Sequence, residues 1–194
     1  MGLEYEKKYR ADLETLQKIN CALSEDPYLL EMETTYYDTP SGALSQRKIT
    51  LRRRFENGVS VCTLKTPTGT AARGEFQVEK QSIKEAIPEL CKLSSDAELL
   101  SLTAEGVIPV CGAKFTRIAR KVSFGNSTLE VALDKGVLIG GEKELPLYEL
   151  EVELLSGETK DADLYSNLLA AKFGLQEEKH SKFRRALALA KGEI

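Results

Sequence analysis

The chain has 194 residues, 42% of them hydrophobic and 29% charged, a balance that suits one soluble domain long enough to bury a core of its own. A net charge of -3 excludes nucleic-acid binding through bulk positive charge, so any anion site has to be local. The single histidine, His180, excludes Ser-His-Asp catalysis, multi-histidine metal sites and histidine acid-base pairs, and leaves the chemistry to carboxylates, Lys, Arg and bound metal.

The N-terminal MGLEYEKKYR is charged where a signal peptide is apolar, and Glu6 breaks the myristoylation pattern that Met1-Gly2 opens. No run reaches the roughly 20 apolar residues that a membrane span needs, so a cytoplasmic protein with no membrane partner is expected. Period-2 patterning predicts strands over 3–10, 34–38, 48–56, 59–66, 74–80, 115–124, 127–134 and 147–155. Asn57-Gly58 joins the third to the fourth as a short hairpin, and Gly125-Asn126 joins the sixth to the seventh. Helices are predicted at 11–23, at 82–104 in one or two pieces, at 160–173 before Gly174, and at 181–191 as a last packing helix. With no repeat or Pro/Gly-rich linker, residues 1–194 read as a single α+β domain. Cys21, Cys62, Cys91 and Cys111 form no C-x-x-C pair and read as buried thiols.

The polar phase of the strands is almost wholly charged. Glu4, Glu6 and Lys8 share one face, as do Arg52 and Arg54, and Glu149, Glu151 and Glu153 put three carboxylates on one face of one strand. Lys65, then Arg73, Glu75 and Glu79, then Glu130 and Asp134, continue the pattern on the other strands. For any one strand the plainer reading is a solvated face laced with ion pairs. Solvation does not, however, favour stacking three same-face carboxylates roughly 6 to 7 Å apart. A divalent cation would remove that repulsion, and an oxygen-only ligand set points to Mg²⁺ or Mn²⁺. The bases Arg52, Arg54, Lys65, Arg73, Arg117 and Lys182 then call for an anion, and guanidinium forks with lysine point charges suit a chain of phosphates. Closing about eight strands into an antiparallel barrel would turn all these faces toward one bore.

The motifs Glu4-Tyr5-Glu6-Lys7-Lys8, Tyr36-Tyr37-Asp38-Thr39-Pro40, Leu51-Arg52-Arg53-Arg54, Thr63-Leu64-Lys65, Arg73-Gly74-Glu75-Phe76, Leu133-Asp134-Lys135-Gly136, Glu149 to Gly157 and Ser181-Lys182 follow one another in this order. In that order and spacing the sequence resembles the CYTH domain family, the triphosphate tunnel metalloenzymes. The resemblance implies a closed eight-stranded antiparallel barrel with the active site inside it and a metal-dependent triphosphatase activity. It also implies metal ligation by Glu4, Glu6, Glu149, Glu151 and Glu153, and a triphosphate cradle of Lys8, Arg52, Arg54, Lys65, Arg73, Arg117 and Lys182. Lys8 is similar to the family residue that orients or activates water, which places it with Glu4 and Glu6 in the catalytic set, while Glu75, Glu130 and Asp134 are further lumen candidates.

Within that family, substrates include inorganic tripolyphosphate, thiamine triphosphate, RNA 5′-triphosphates and ATP for cyclisation. Glu149 to Gly157 and the LDKG segment, read as a turn, resemble those of bacterial inorganic triphosphatases. With no Trp to stack on a base, tripolyphosphate is expected, and a class IV-type adenylate cyclase, a thiamine or nucleoside triphosphatase and a non-catalytic polyphosphate-binding module are the alternatives. Many relatives carry a histidine-rich helical domain after this one, which a chain ending at Ile194 is read as lacking. Arg120 and Lys121 read as surface residues, Lys7 and Arg53 as outward-facing charges, and His180 as a cap or surface residue. A homodimer is among the states the sequence leaves open.

Overall fold

The computed structural model describes residues 2–69, 73–95 and 97–194. In chain order the elements are β1 (Gly2–Glu4), β2 (Glu6–Arg10), α1 (Leu13–Ala22), β3 (Tyr28–Asp38), α2 (Ala43–Gln46), β4 (Thr50–Glu56), β5 (Val59–Pro67), β6 (Arg73–Glu79), α3 (Ile83–Ser94), α4 (Ala97–Leu102), β7 (Ile108–Phe124), β8 (Ser127–Gly140), β9 (Lys143–Ser156), α5 (Thr159–Phe173), β10 (Gln176–Glu177) and α6 (Lys182–Lys191). The strands form one antiparallel sheet of ten in the order β1-β6-β5-β4-β3-β7-β8-β9-β2-β10.

Both hairpins fall where their turn residues place them, with Asn57 at φ 49°, Gly58 at φ 86° and Gly125 at φ 58°. The expected eight-stranded closed barrel is corrected. The ladder runs from β1 to β10 without returning to its first strand, and it counts ten strands because the N-terminal segment divides at Tyr5 and a two-residue β10 is added. The division is informative: residues 2–4 pair with β6 while residues 6–10 pair with β9. The chain itself, not a hydrogen-bonded ladder, therefore joins the two flanks of the sheet.

Alternation then sorts the side chains in an unusual sense. The apolar phase faces the helices: Leu51, Cys62, Leu64 and Phe76 pack on α3 and α4, and Tyr9, Val122, Leu129, Val131, Leu133, Leu150 and Val152 pack on α1 and α5. The charged phase lies on the opposite, concave face. Of the described helices α6 enters there, with Phe183 and Ala186 against Met32, Tyr36, Phe115, Leu138 and Leu147. Helix ends are capped by ordinary means. Asp12 and Ser82 accept N–H bonds from Thr15 and Glu85 at the starts of α1 and α3, and Gly174 closes α5 in the left-handed region.

Leu133 to Gly136 lies in the middle of β8 rather than in a turn. Gly136 is opposite Phe115, and a Cβ there would overlap the Lys114 carbonyl and the Phe115 backbone, so glycine permits close strand approach. Among the cysteines, Cys62, Cys91 and Cys111 are buried as expected, but Cys21 is exposed. No helix among the described residues is long and apolar enough to cross a membrane.

Candidate functional site

The concave face encloses a cavity of about 190 Å³. Lining it are Glu4, Glu6, Lys8, Tyr36, Thr50, Arg52, Arg54, Lys65, Arg73, Glu75, Gln77, Arg117, Glu151, Glu153, Ser181, Lys182 and Phe183. Seven bases thus face five acids in one small volume, although the chain as a whole is acidic.

Four of the five acids gather on β1, β2 and β9, and the fifth, Glu75, is on β6 among the bases. Glu6 is directly opposite Glu153 across β2 and β9, and Glu153 is directly opposite Glu130 across β9 and β8. Like charges in such positions oppose pairing. Burial, together with Glu4, Glu6, Glu130 and Glu151, pushes the Glu153 carboxyl up to about 8. Glu4 accepts a bond from Lys65, and Glu6 accepts one from Lys8 at 2.9 Å. Burial opposes the charge on Lys8, but Glu6 and Glu151 hold it above its ordinary value, so it is a cation and a proton donor near neutral pH, not a base.

Five of the seven bases come from β4, β5, β6 and β7, with Lys8 on β2 and Lys182 on α6. Arg52 and Arg54 are buried, and among the described residues the Arg52 Nε has no hydrogen-bond partner. Among the described residues its ion pair is to Glu75 at 3.5 Å. Burial, with Arg52 and Arg117 nearby, lowers Arg54 to about 10. A guanidinium stays charged in proteins, and Glu56, 3.3 Å from the Arg54 Nη1, offsets only part of the burial and of the repulsion from the neighbouring guanidiniums, so an anion would complete this wall. Burial likewise lowers Arg73, whose Nη2 is tied to the carbonyls of Lys48 at 2.7 Å and Lys65 at 3.1 Å.

At the cavity floor and behind it the charges are closed on themselves. The Lys182 ammonium contacts Asp134 at 2.8 Å, Glu151 at 2.6 Å, and Glu149. Arg117 grips both oxygens of Asp134, at 2.7 and 2.8 Å, and also Glu151. Burial opposes ionisation of Glu151, yet Lys182 and Arg117 hold it well below the ordinary carboxylate range. Asp134, Glu149 and Glu151 bring one oxygen each within 4.8 Å of one another, a spacing that could suit a metal ion, but the cation among them is Lys182, whose three N–H donors match the three carboxylates.

Of the residues singled out in the sequence, Glu4, Glu6, Lys8, Arg52, Arg54, Lys65, Arg73, Glu75, Arg117, Glu151, Glu153 and Lys182 meet in this cavity. Glu149 and Asp134 are fully buried and lie behind it, and Glu130 bonds the Tyr28 hydroxyl and sits 3.8 Å from Arg117. Lys7 and Arg53 face outward as expected, Lys7 toward Asp163 and Arg53 over the Phe55 ring. His180 is exposed. Arg120 corrects its expectation: it is buried and donates to the Glu25 carbonyl at 2.9 Å and the Asn20 Oδ1 at 2.8 Å, anchoring the segment that follows α1. Sequence reasoning missed Tyr36, Thr50 and Gln77 as lining residues, and Arg185 and Glu178 behind the floor. Their phase on the strands could have found the first three; Arg185 on α6 and Glu178 in the connection before it carry no such phase.

A curled antiparallel sheet that packs helices on its apolar face and encloses opposed acidic and basic walls defines an α+β class in which side chains, not a backbone loop, would hold an anion. The chain belongs to the CYTH domain family, the match covering residues 2–187. It is 31% identical over 164 residues to the inorganic triphosphatase of Haemophilus influenzae, covering 82% of this chain but 46% of that protein. The chain therefore spans about half the length of this curated relative. Among solved structures, a Bacillus halodurans protein provisionally assigned as an adenylate cyclase matches with TM-score 0.66 at 18% identity, over 95% of this chain and 98% of the other. HpAC1 from Hippeastrum, reported to have a dominant triphosphatase activity, matches with TM-score 0.64 at 18% identity, over 100% and 96% of the two chains. At these identities the structural matches establish the fold.

Proposed function

We propose that this protein hydrolyses a small triphosphate with a divalent cation, inorganic tripolyphosphate first among candidates, releasing pyrophosphate and orthophosphate. The observation that carries the reading is the opposition of two incomplete walls in one cavity. One holds Glu153 in register with Glu6 and Glu130, its carboxyl pushed up to about 8, and the other holds the Arg52 Nε, without a hydrogen-bond partner among the described residues, beside a buried Arg54 that Glu56 only partly offsets. A divalent cation and a polyanion complete the two walls respectively, and neither alone completes both. The 31% identical relative named as an inorganic triphosphatase supports the same reading.

The donor set fits a hard cation: Glu4, Glu6 and Glu153 offer only oxygen, on adjoining segments of β1, β2 and β9. Bound there, Mg²⁺ or Mn²⁺ would supply charge neutralisation at the phosphoryl oxygens. Arg52, Arg54, Arg73, Lys65 and Arg117 bind the phosphate chain and offset the charge that gathers on the leaving oxygens. Lys8, held charged by Glu6, donates to a phosphoryl oxygen or orients water and cannot abstract its proton. Lys182 has its donors engaged with Asp134, Glu149 and Glu151, and contributes positive potential at the cavity floor.

The test is turnover of tripolyphosphate, thiamine triphosphate, ATP and other nucleoside triphosphates with Mg²⁺ or Mn²⁺, assaying orthophosphate and cyclic AMP together. Tripolyphosphate hydrolysis that falls about 10²-fold or more in Glu4→Gln or Glu6→Gln is expected. Cyclic AMP as the main product, or binding without turnover under either metal, would replace this reading by a cyclase or by a binding module.

A further inference from the structure

Arg185 lies outside the charged phase of every strand. It stands one helical turn beyond Lys182 on α6, with its side chain 13% exposed and aimed at the same buried acids. The floor has a regular pattern. Each carboxylate that contacts Lys182 also rests on a guanidinium: Asp134 and Glu151 on Arg117, and Glu149 on Arg185. Arg185 in turn lies 3.6 Å from Glu178, a buried side chain that also binds Arg10 and accepts the His180 N–H at 2.7 Å. The Glu178 N–H donates to the Lys8 carbonyl at 2.7 Å, which ties this second layer to the strand carrying Lys8.

We propose that Arg185 is a positioning residue for the triphosphate cavity, acting through Glu149 on the Lys182 ammonium. The inference rests on the triphosphatase reading given above. Glu149 is 0% exposed, so without Arg185 one of its oxygens is left uncompensated away from water. An ammonium on a four-carbon stem is the mobile cation within reach, and it shifts toward Glu149 at the expense of Glu151. Glu151 then draws more strongly on its other cations, Arg117 in direct contact and Lys8 opposite it across β2 and β9. Both line the cavity, so the loss is felt as weaker hold on the phosphate chain, although Arg185 itself does not line it.

The experiment compares Arg185→Met, Arg185→Lys and the double variant Glu149→Gln/Arg185→Met for tripolyphosphate kinetics, calorimetric binding of tripolyphosphate and melting. Arg185→Met raises KM about tenfold with kcat within about threefold, as for groups that orient a ligand from behind. Arg185→Lys recovers most of the loss, and the double variant, which removes the buried charge together with its partner, binds more tightly and melts higher than Arg185→Met. A merely structural Arg185 would instead lower the active fraction, so that kcat falls at constant KM, and would make the double variant worse than either change alone; that outcome overturns the proposal. Should Arg185→Met not fold, Arg185→Lys and the double variant still decide, because a double variant as weak in binding as a site without its anchor contradicts charge compensation. Wild-type protein that binds tripolyphosphate without hydrolysing it sinks the proposed activity but leaves the binding comparison intact. Equal affinity in wild type and Arg185→Met sinks the role of Arg185 alone.

Discussion

Replacing Glu153 with Gln should stabilise the metal-free protein while abolishing its response to metal, a pair of effects with opposite signs. Glu153 faces Glu6 and Glu130 in register and lies near Glu4 and Glu151. With each like-charge neighbour opposing folding by about 0.2–1 kcal/mol, the four together cost about 2 kcal/mol when Glu153 is ionised. The pH dependence has a defined sign. The folded carboxyl titrates near 8 and the unfolded one near 4.5, so the folded state binds the extra proton, and stability from this source is present below about 4.5 and lost as pH rises through 8. Wild type and Glu153→Gln therefore melt together near pH 4.5 and separate progressively, the variant melting about 4–8 °C higher above pH 8 in chelator. Adding Mg²⁺ raises the wild-type midpoint and leaves that of the variant nearly unchanged. Thermal melts across pH with and without Mg²⁺ measure both effects. A variant that melts no higher than wild type at pH 9 in chelator, or that keeps the full Mg²⁺ shift, refutes the account of the acidic wall.

Three further outcomes follow from the same charges and packing. Lys182→Met strands three buried carboxylates and should lower unfolding stability by about 3–5 kcal/mol in urea titrations; an unchanged midpoint would show that the floor does not depend on this ammonium. Arg54→Met should weaken tripolyphosphate about tenfold or more, the worth of a charge-assisted hydrogen bond, while leaving metal-free stability equal or higher, because burial, Arg52 and Arg117 oppose this charge more than Glu56 at 3.3 Å offsets it; calorimetry and melting read the two arms. Gly136→Ala pushes β8 away from β7 and should cost at least about 1–3 kcal/mol by denaturant unfolding, whereas a neutral result would mean that the strands have slack there.

The cavity lining was legible because strand alternation is set by covalent geometry. Successive Cβ atoms point to opposite faces whatever the strand later pairs with, so Glu4, Glu6 and Lys8, or Arg52 and Arg54, share a face by spacing alone. The same logic assigned Lys7 and Arg53 outward. It failed for Arg120, which alternation correctly placed on the face opposite Arg117 but which sits under the chain following α1 instead of in solvent. Alternation also cannot rank residues by depth along a strand. Glu149, Glu151 and Glu153 are equivalent in sequence, yet one is sealed beneath the floor by Lys182 and Arg185, one bridges floor and cavity, and one faces Glu6 in the cavity.

Sequence alone determined the α+β class, the position of both hairpins and the face to which each charged strand residue belongs, because these follow from local spacing and turn chemistry, and its ordered motifs carried the resemblance to the family. Tertiary structure decided what local spacing cannot encode. Register set Glu153 against Glu6 and Glu130, the break at Tyr5 sent one N-terminal segment to both flanks of an open ladder, and the docking of α6 on the concave face supplied Lys182 and Arg185. Each of these depends on residues far apart in the chain meeting through packing, and the charge state of the site depends on those meetings.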